Sequence, residues 1–225
     1  MNIDKMREQF NFVARKYDSQ RRRFLPCYDD YYKTSISLLK CYKDNFAKIV
    51  DLGAGTGLLT KEICELYPNA HYVLIDVAKD MLKIAEERFK GLNNFEFIES
   101  DYAEDIPVTN CDLICSALSI HHLESNEKAA LYKNCYEKLD KGGCLINLDQ
   151  FNAETETVND LYNDWWYSYI NWNVAPEEKA SWMERRKLDK ENTIQETIEL
   201  LKNSGFGNVE CIYHFMKFGV IIAIK

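Results

Sequence analysis

The chain has 225 residues, a net charge of −8 and an isoelectric point near 5.1. This length suffices for one domain with a sizeable core, and the acidic balance disfavours nucleic acid as a partner, because nucleic-acid binding normally uses a basic surface. The eight cysteines lack Cys-x-x-Cys pairs, and neither a signal sequence nor a long apolar run is found, so we expect no export or membrane insertion but a reducing cytoplasm.

The N-terminal region, residues 1–44, is predicted to be a helical lid. The pattern predicts a helix over Ile3–Tyr17, a basic stretch over Arg21–Arg23, a break at Pro26 and a second helix after it. Residues 45–225 form the main domain in this prediction, with a helical, aromatic-rich insertion over residues 150–192.

A glycine-dense turn follows the first predicted strand, Ile49–Leu52. Gly53, Gly55 and Gly57 alternate along it, and glycine permits positive φ and removes the Cβ atoms that keep a ligand away from the backbone. A phosphate-binding loop needs a Lys-Ser/Thr pair after the glycines, and the dinucleotide fingerprint needs a glycine at the position of Leu58. The chain has neither feature, so it fits neither motif well. A tight strand-to-helix turn without a ligand is the alternative.

An aspartate ends the second predicted strand, Tyr72–Ile75. An acidic residue about twenty residues past the glycine turn suits a ribose, because one carboxylate can accept hydrogen bonds from both hydroxyls. We therefore predict that Asp76 binds a ribose. The alternative is a helix cap, in which Asp76 or Asp80 accepts from free N–H groups at the start of the helix Lys79–Lys90.

The rest of the chain alternates between strands and helices. A helix is predicted over Asn126–Leu139, followed by a turn over Lys141–Gly143. The further predicted strands are Phe95–Glu99, Cys111–Cys115, Cys144–Leu148, Gly207–Tyr213 and Phe218–Ile224. Alternation predicts a parallel sheet, and the last two strands are too close for a crossover helix. The predicted fold class is therefore α/β: a Rossmann-like doubly wound seven-stranded sheet with an antiparallel C-terminal hairpin and a helical lid.

The motif Asp-Leu-Gly-Ala-Gly-Thr-Gly, residues 51–57, resembles the first motif of the class I S-adenosylmethionine-dependent methyltransferases. The strand ending at Asp76, the pair Asp101-Tyr102 and the fourth strand follow in that family's order. The resemblance implies S-adenosylmethionine as cofactor. It implies that Asp51 lies near the amino group, and that the turn with Gly53, Ala54, Gly55 and Gly57 lies under the methionine part. Asp76 is then at the ribose, and Asp101 is at the adenine, with Tyr102 or Met81 against the ring. The further predicted cofactor-binding residues are Val77, Ser116 and Tyr17. An exposed turn is the alternative for Asp101, and ordinary helix packing for Tyr17.

The insertion is rich in aromatic residues, which suit ligand walls and protein interfaces alike. They are Phe151, Tyr162, Trp165, Trp166, Tyr167, Tyr169, Trp172 and Trp182. We predict a covered pocket in which Trp166 faces the substrate, or a homodimer interface. Packing between the lid helices is the alternative.

The lid and the C-terminal part show a narrower resemblance, to the carboxy-S-adenosylmethionine synthases. It rests on Leu25-Pro26-Cys27-Tyr28, on Glu184-Arg185-Arg186-Lys187-Leu188 and on the chain's end. The resemblance implies that Tyr28 contacts the cofactor and that Arg185 binds a carboxylate of the cofactor or of an acidic substrate. The glycine loop departs from that family, which resembles Gly-Cys-Ser-x-Gly, and Ser116 stands where it has asparagine. A solvent-exposed helix arginine is the alternative for Arg185.

These observations predict an enzyme that transfers the methyl group of S-adenosylmethionine to a small-molecule acceptor by direct displacement. Positioning supplies much of the catalysis, and no metal is required. His121 and His122 follow the fourth strand and are the catalytic candidates, since histidine titrates near neutral pH and can act as a general base. Asp149 is a further candidate at the same edge, and loop packing is the alternative for the histidines. A carboxy-S-adenosylmethionine synthase-like enzyme and a non-catalytic cofactor-binding protein are the alternative functions.

Overall fold

The computed structural model describes residues 3–225, except for the side chain of Ser35. Its strands are β1 (Lys48–Leu52), β2 (His71–Asp76), β3 (Phe95–Glu99), β4 (Cys111–Ala117), β5 (Leu139–Gln150), β6 (Asn208–Phe215) and β7 (Phe218–Ile224). They form one sheet in the order β3-β2-β1-β4-β5-β7-β6, in which β7 runs opposite to the other six described strands. The predicted fold class is confirmed.

Helices cover both faces of the sheet and one end. They are α1 (Ile3–Phe24), α2 (Ser35–Tyr42), α3 (Leu58–Leu66), α4 (Lys79–Arg88), α5 (Ser125–Lys138), α6 (Glu156–Asn173), α7 (Pro176–Arg186) and α8 (Ile194–Asn203). A short π-helical turn, Asp30–Thr34, precedes α2, and a 3₁₀ turn, Ile120–His122, precedes α5. Among the described helices, none is both long and apolar enough to cross a membrane.

The central strands are buried on both faces, as expected of parallel strands that helices cover. In β1 the side chains of Ile49, Val50 and Leu52 are at most 1% exposed. The chain order reverses between β1 and β4, which are neighbours in the sheet. Ligands of open α/β sheets bind outside the carboxyl ends of the strands at such a reversal, and the glycine turn after β1 lies there.

The turn predicted over Lys141–Gly143 is wrong. The helix α5 ends one residue earlier than predicted, and β5 begins at once at Leu139 and continues through this segment. The pairing with β4 shifts register between Cys111 and Leu113, and Gly142 has a φ of +73°. The glycines therefore support an irregularity within a strand, which a sequence pattern cannot distinguish from a turn.

The helix α1 extends past the predicted end at Tyr17 and lies against α4. No side chain of α4 itself caps its first turn. Instead, Asn11 Oδ1 accepts a hydrogen bond from the backbone N–H of Asp80 at 3.0 Å, and Arg7 Nε donates to the carbonyl of Val77 at 3.2 Å. The N-terminal helix thus completes the start of α4.

The insertion packs its two helices against α1. Trp166 Nε1 donates to the carbonyl of Phe24 at 2.9 Å, and the rings of Trp166 and Trp182 lie 5.0 Å apart. Much of the aromatic density therefore packs lid helices together. The division into a lid over residues 1–44 and a domain over residues 45–225 stays a prediction, and its first two residues lie outside the described part of the chain.

Candidate active site

Two glycines of the turn after β1, Gly53 and Gly55, have different structural roles. Gly53 has a φ of +67°, and a Cβ atom there would lie 1.9 Å from Ser119 Oγ, so any side chain would collide with the loop after β4. Gly55 has a φ of +56°, but a Cβ atom there would meet no described atom within 4 Å. Gly53 is thus required by packing, whereas Gly55 faces an open crevice that a ligand can enter.

Asp51 lies at the floor of this crevice and is 2% exposed. Its Oδ2 accepts a hydrogen bond from Thr60 Oγ1 at 2.5 Å, while its Oδ1 is buried without a hydrogen-bond partner among the described residues. Burial raises the pKa of Asp51 to about 7, although the Thr60 hydroxyl opposes this. A buried, unpaired carboxylate oxygen is suited to a cationic group, such as the ammonium of an amino acid.

Asp76 closes the other side of the crevice. Its Oδ2 accepts from the N–H of Gly55 and its Oδ1 from the N–H of Ala78, each at 2.7 Å. Burial raises its pKa to about 6, against the effect of these N–H donors. The carboxylate therefore holds the glycine turn and the start of α4, and its further lone pairs are available to hydroxyl groups. The capping alternative and ligand binding are compatible at this residue.

The crevice continues along α4 and the loop after β3. Val77, Met81 and Tyr102 line it, and the Tyr102 hydroxyl lies 2.7 Å from Ser119 Oγ. Asp101 Oδ1 instead accepts the N–H of Ala103 at 2.9 Å, as in a tight turn.

Other predicted cofactor residues occupy different positions. Ser116 Oγ donates to the carbonyl of Leu52 at 2.7 Å, which joins β4 to β1 beneath the site. Ala54 lines the crevice beside Asp51. At Gly57, an added Cβ atom would lie 2.7 Å from the Phe89 ring, so this glycine is required by packing.

Of the two lid tyrosines predicted to bind the cofactor, Tyr17 lines the crevice and Tyr28 lies behind a lining residue. Tyr17 of α1 lines the crevice and also a second pocket beside it. Tyr28 packs against Tyr32, with ring centroids 4.7 Å apart, and Tyr32 lines the crevice near Asp51. Tyr28 thus supports a lining residue.

One carboxylate of α1 holds this helix over the glycine turn. Asp18 accepts from Thr56 Oγ1 at 2.5 Å and forms an ion pair with Arg88 of α4. Arg88 Nε also donates to the carbonyl of Thr56 at 2.7 Å. The lid helix, the glycine turn and α4 are therefore tied together at one point, which we call the Asp18 latch.

The second pocket, here called the adjoining pocket, lies under α1 and α7. It is lined by residues that include Arg21, His121, Gln150, Trp182 and Arg185. Phe10, Tyr17, Leu118 and His122 line both this pocket and the crevice. The two cavities thus meet at a shared wall, and Trp166 lies one layer behind it, against Trp182.

His121 is fixed by two carboxylates. Its Nδ1 lies 2.5 Å from Asp149 Oδ1, its backbone N–H donates to Asp149 Oδ2 at 2.9 Å, and its Nε2 lies 3.4 Å from Asp189 Oδ1. Burial lowers the pKa of His121, but Asp149 and Asp189 outweigh it and raise the pKa to about 9.

His122 is equally buried, at 6% exposure, but less well paired. Its Nδ1 lies 3.1 Å from Asp189 Oδ1, yet neither ring nitrogen makes a hydrogen bond of acceptable geometry within the described residues. Burial and the neighbouring His121 lower the pKa of His122.

Sequence reasoning missed Asp189, which lies close to both histidines. Asp189 Oδ2 accepts from Gln150 Nε2 at 2.6 Å and from Arg186 Nη1 at 2.8 Å. Arg186 therefore already has a carboxylate partner, whereas Arg185 donates only to Ser181 Oγ, at 2.9 Å, among the described residues. No local motif marks Asp189, because its partners lie on other elements. Of the two carboxylates beside the histidines, the sequence pointed only to Asp149, at the end of the fifth strand.

Comparisons with known proteins agree with this geometry. A protein-family profile described as a methyltransferase domain matches residues 49–143. A carboxy-S-adenosyl-L-methionine synthase of Nautilia profundicola is 27% identical over 97% of this chain and 95% of its own length. A phosphoethanolamine N-methyltransferase of Plasmodium falciparum is 32% identical over 53% of this chain and 45% of its own length.

The fold has solved counterparts. The structure described as a DhpI–SAH complex superimposes with a TM-score of 0.70 at 16% identity, covering 98% of this chain and 95% of the other. The motif, the fold, the crevice and the matches agree. The chain therefore contains a methyltransferase domain and is an enzyme that uses S-adenosylmethionine, and over nearly its whole length it is similar to a carboxy-S-adenosyl-L-methionine synthase.

Proposed function

We propose that this enzyme transfers a methyl group from S-adenosylmethionine to a small-molecule acceptor bound in the adjoining pocket. The observation that carries the proposal is the shared wall of Phe10, Tyr17, Leu118 and His122, because it brings the contents of the two cavities together. S-adenosylmethionine, when bound, supplies an electrophilic methyl group on a positively charged sulfur. The protein's main task is then to align acceptor and methyl group and to exclude water.

The crevice fits the cofactor. The unpaired oxygen of Asp51 would accept from the ammonium group, and the open space at Gly55 lets the methionine part approach the backbone. Asp76 would accept from the ribose hydroxyls, and Met81 and Tyr102 would pack against the adenine. These assignments rest on the polar atoms and the space that the crevice offers.

The acceptor side is covered by the lid helices. Tyr17 and Arg21 of α1 and Trp182 and Arg185 of α7 form its roof. His122 stands at the shared wall, supported by His121. We assign acceptor activation to this histidine pair, as the sequence predicted, and substrate contact to Arg185.

An acceptor screen tests the proposal. The enzyme is incubated with S-adenosylmethionine and pools of small hydroxy, amino and thiol compounds, and S-adenosylhomocysteine is measured by mass spectrometry. We expect release that depends on one pool and that is lost in Gly55→Val. Absence of S-adenosylmethionine binding in calorimetry would contradict the proposal.

A second candidate function is the synthesis or use of carboxy-S-adenosylmethionine. It is supported by the resemblance to the synthases over nearly the whole chain and by Arg185, whose guanidinium donates to Ser181 Oγ and has no carboxylate partner within the described residues. Mass spectrometry after incubation with S-adenosylmethionine and prephenate tests it. Formation of the carboxylated cofactor, lost in Arg185→Ala, would favour this candidate over simple methyl transfer.

The predicted homodimer and the cytoplasmic location stay predictions. The insertion leaves Trp172 89% exposed and Leu161 61% exposed on α6, and these are the side chains that a second copy would cover. Light scattering of wild type and Trp172→Glu measures the oligomeric state. We expect a wild-type dimer that the substitution dissociates, and a monomeric wild type would contradict the predicted homodimer.

A further inference from the structure

Three potential metal ligands converge behind the shared wall. Asp189 Oδ1 lies 3.4 Å from His121 Nε2 and 3.1 Å from His122 Nδ1, and one atom from each residue lies within 4.8 Å of the other two. We propose that His121, His122 and Asp189 bind a divalent transition-metal ion at the acceptor side of the active site. Two imidazoles and one carboxylate are ligands that Zn²⁺ and Fe²⁺ accept.

The first argument is the state of His122. Buried polar atoms in folded proteins are nearly always hydrogen-bonded, yet both ring nitrogens of His122 lack a hydrogen bond within residues 3–225, and the residue is only 6% exposed. Its Nδ1 nevertheless points to within 3.1 Å of Asp189 Oδ1. Burial without a well-directed partner leaves His122 available to an ion, and Asp189 Oδ1 lies close enough to be a second ligand of that ion.

The second argument is the spacing. In a tetrahedral site with metal–ligand bonds of about 2.0–2.1 Å, neighbouring ligand atoms are about 3.4 Å apart. The distances from Asp189 Oδ1 to the two histidine nitrogens, 3.4 Å and 3.1 Å, are close to this value. Asp189 Oδ1 thus has the spacing of a co-ligand with each histidine nitrogen, and the three ligand atoms lie within 4.8 Å of one another.

The third argument is the support of each ligand. Asp149 holds Nδ1 of His121, which leaves Nε2 for the ion, and metal-binding histidines usually donate their other nitrogen to a carboxylate in this way. Gln150 and Arg186 hold Oδ2 of Asp189, which leaves Oδ1 for the ion. Both ligands are thus oriented by groups that do not themselves bind the metal.

The location gives the ion a role in activating the acceptor. This role rests on the proposed function, whereas the binding of the metal does not. His122 lines both cavities, so the ion would stand beside the acceptor with coordination positions open towards it. A bound divalent ion lowers the pKa of a coordinated hydroxyl, whose proton then leaves to solvent. Acceptor activation by the histidine pair would in that case occur through the metal.

Metal binding to untagged, chelator-treated enzyme tests the inference without cofactor or acceptor. Calorimetry with Zn²⁺ and the visible absorption of the Co²⁺ form are measured for wild type, His122→Ala, Asp189→Asn and the control His71→Ala. His71 is a half-exposed histidine that pairs with Glu96 at the far end of β2. Circular dichroism establishes that each variant is folded.

We expect one equivalent of metal per chain in wild type and His71→Ala, and affinity at least about tenfold weaker in His122→Ala and Asp189→Asn. No binding by wild type, or equal binding by folded His122→Ala, would overturn the inference. Binding of S-adenosylhomocysteine is measured in the same samples. If the enzyme binds the cofactor but no metal, only the metal site is contradicted. If it binds metal but no cofactor, only the proposed function is contradicted.

Discussion

Asp51 carries an unpaired carboxylate oxygen inside the protein, and its pKa is raised to about 7 by burial. Only the ionised form attracts an ammonium group, so we expect the affinity for S-adenosylhomocysteine to rise as the pH increases from 6 to 8, by up to about tenfold per unit below the pKa. Calorimetry across this range measures the dependence.

The control for this pH dependence is Asp51→Asn, which cannot titrate. It should bind more weakly than wild type at pH 8 and lose most of the dependence above pH 6. Asp76, with a pKa of about 6, then accounts for the dependence that is left at lower pH. Equal slopes in wild type and Asp51→Asn would contradict the assignment of Asp51 to the ammonium group.

Gly55 permits a sharp test of the crevice. Gly55→Val places a branched side chain where no described atom lies within 4 Å, so we expect a folded protein whose cofactor affinity falls by about tenfold or more. Gly91→Val is a matched control, because Gly91 also has a positive φ and open space around its Cβ position, but follows α4. Calorimetry and thermal unfolding of both variants separate backbone strain from loss of the site. Equal loss of affinity in both would refute the prediction.

The sequence revealed one half of the site better than the other. Gly53, Gly55 and Asp76 belong to short contiguous patterns at strand ends, and the sheet brings these ends together. Asp189 lies in a charged stretch without a motif, and its partners Gln150 and His121 come from β5 and from the loop after β4. Such contacts depend on tertiary packing, which no local pattern encodes.

At the level of elements, the Asp18 latch joins α1 to the glycine turn and to α4. We expect Asp18→Asn to weaken cofactor binding by about three- to tenfold, because the lid helix loses its ion pair with Arg88 and holds the crevice less firmly. Calorimetry with S-adenosylhomocysteine measures the loss. Asp29→Asn is the control, since Asp29 pairs with Arg22 on an exposed surface. A similar loss in both variants would show that the latch has no specific role.

Elements with simple patterns were predicted well, and irregular ones were not. The apolar runs of β1, β2, β4 and β7 identify fully buried strands, since helices cover both faces of the sheet. The α1 helix continues to Phe24 because contacts with α4 and the insertion stabilise its last turns. These contacts are tertiary, so the sequence alone placed its end too early.

At the scale of the whole molecule, a buried charge network joins the turn between β6 and β7 to the active site. Lys217 is fully buried, and its Nζ lies 2.6 Å from Glu191 Oε2 and 3.1 Å from Asn152 Oδ1. Glu191 also pairs with Arg186, which holds Asp189. The orientation of the histidine cluster therefore depends on the C-terminal hairpin, far from it in sequence.

Removing one member of this network should reduce the stability of the entire domain. Lys217→Met leaves Glu191 with less compensation in the interior, so we expect a loss of about 3 kcal/mol in the free energy of unfolding. Lys33→Met removes a lysine that pairs with Asp29 at the surface, and it should change stability by less than about 0.5 kcal/mol. Urea unfolding followed by fluorescence measures both variants. Removing the ammonium group that neutralises buried Glu191 must lower the free energy of unfolding if the network stabilises the fold. Unfolding of Lys217→Met at the same urea concentration as Lys33→Met would therefore contradict this role of the network.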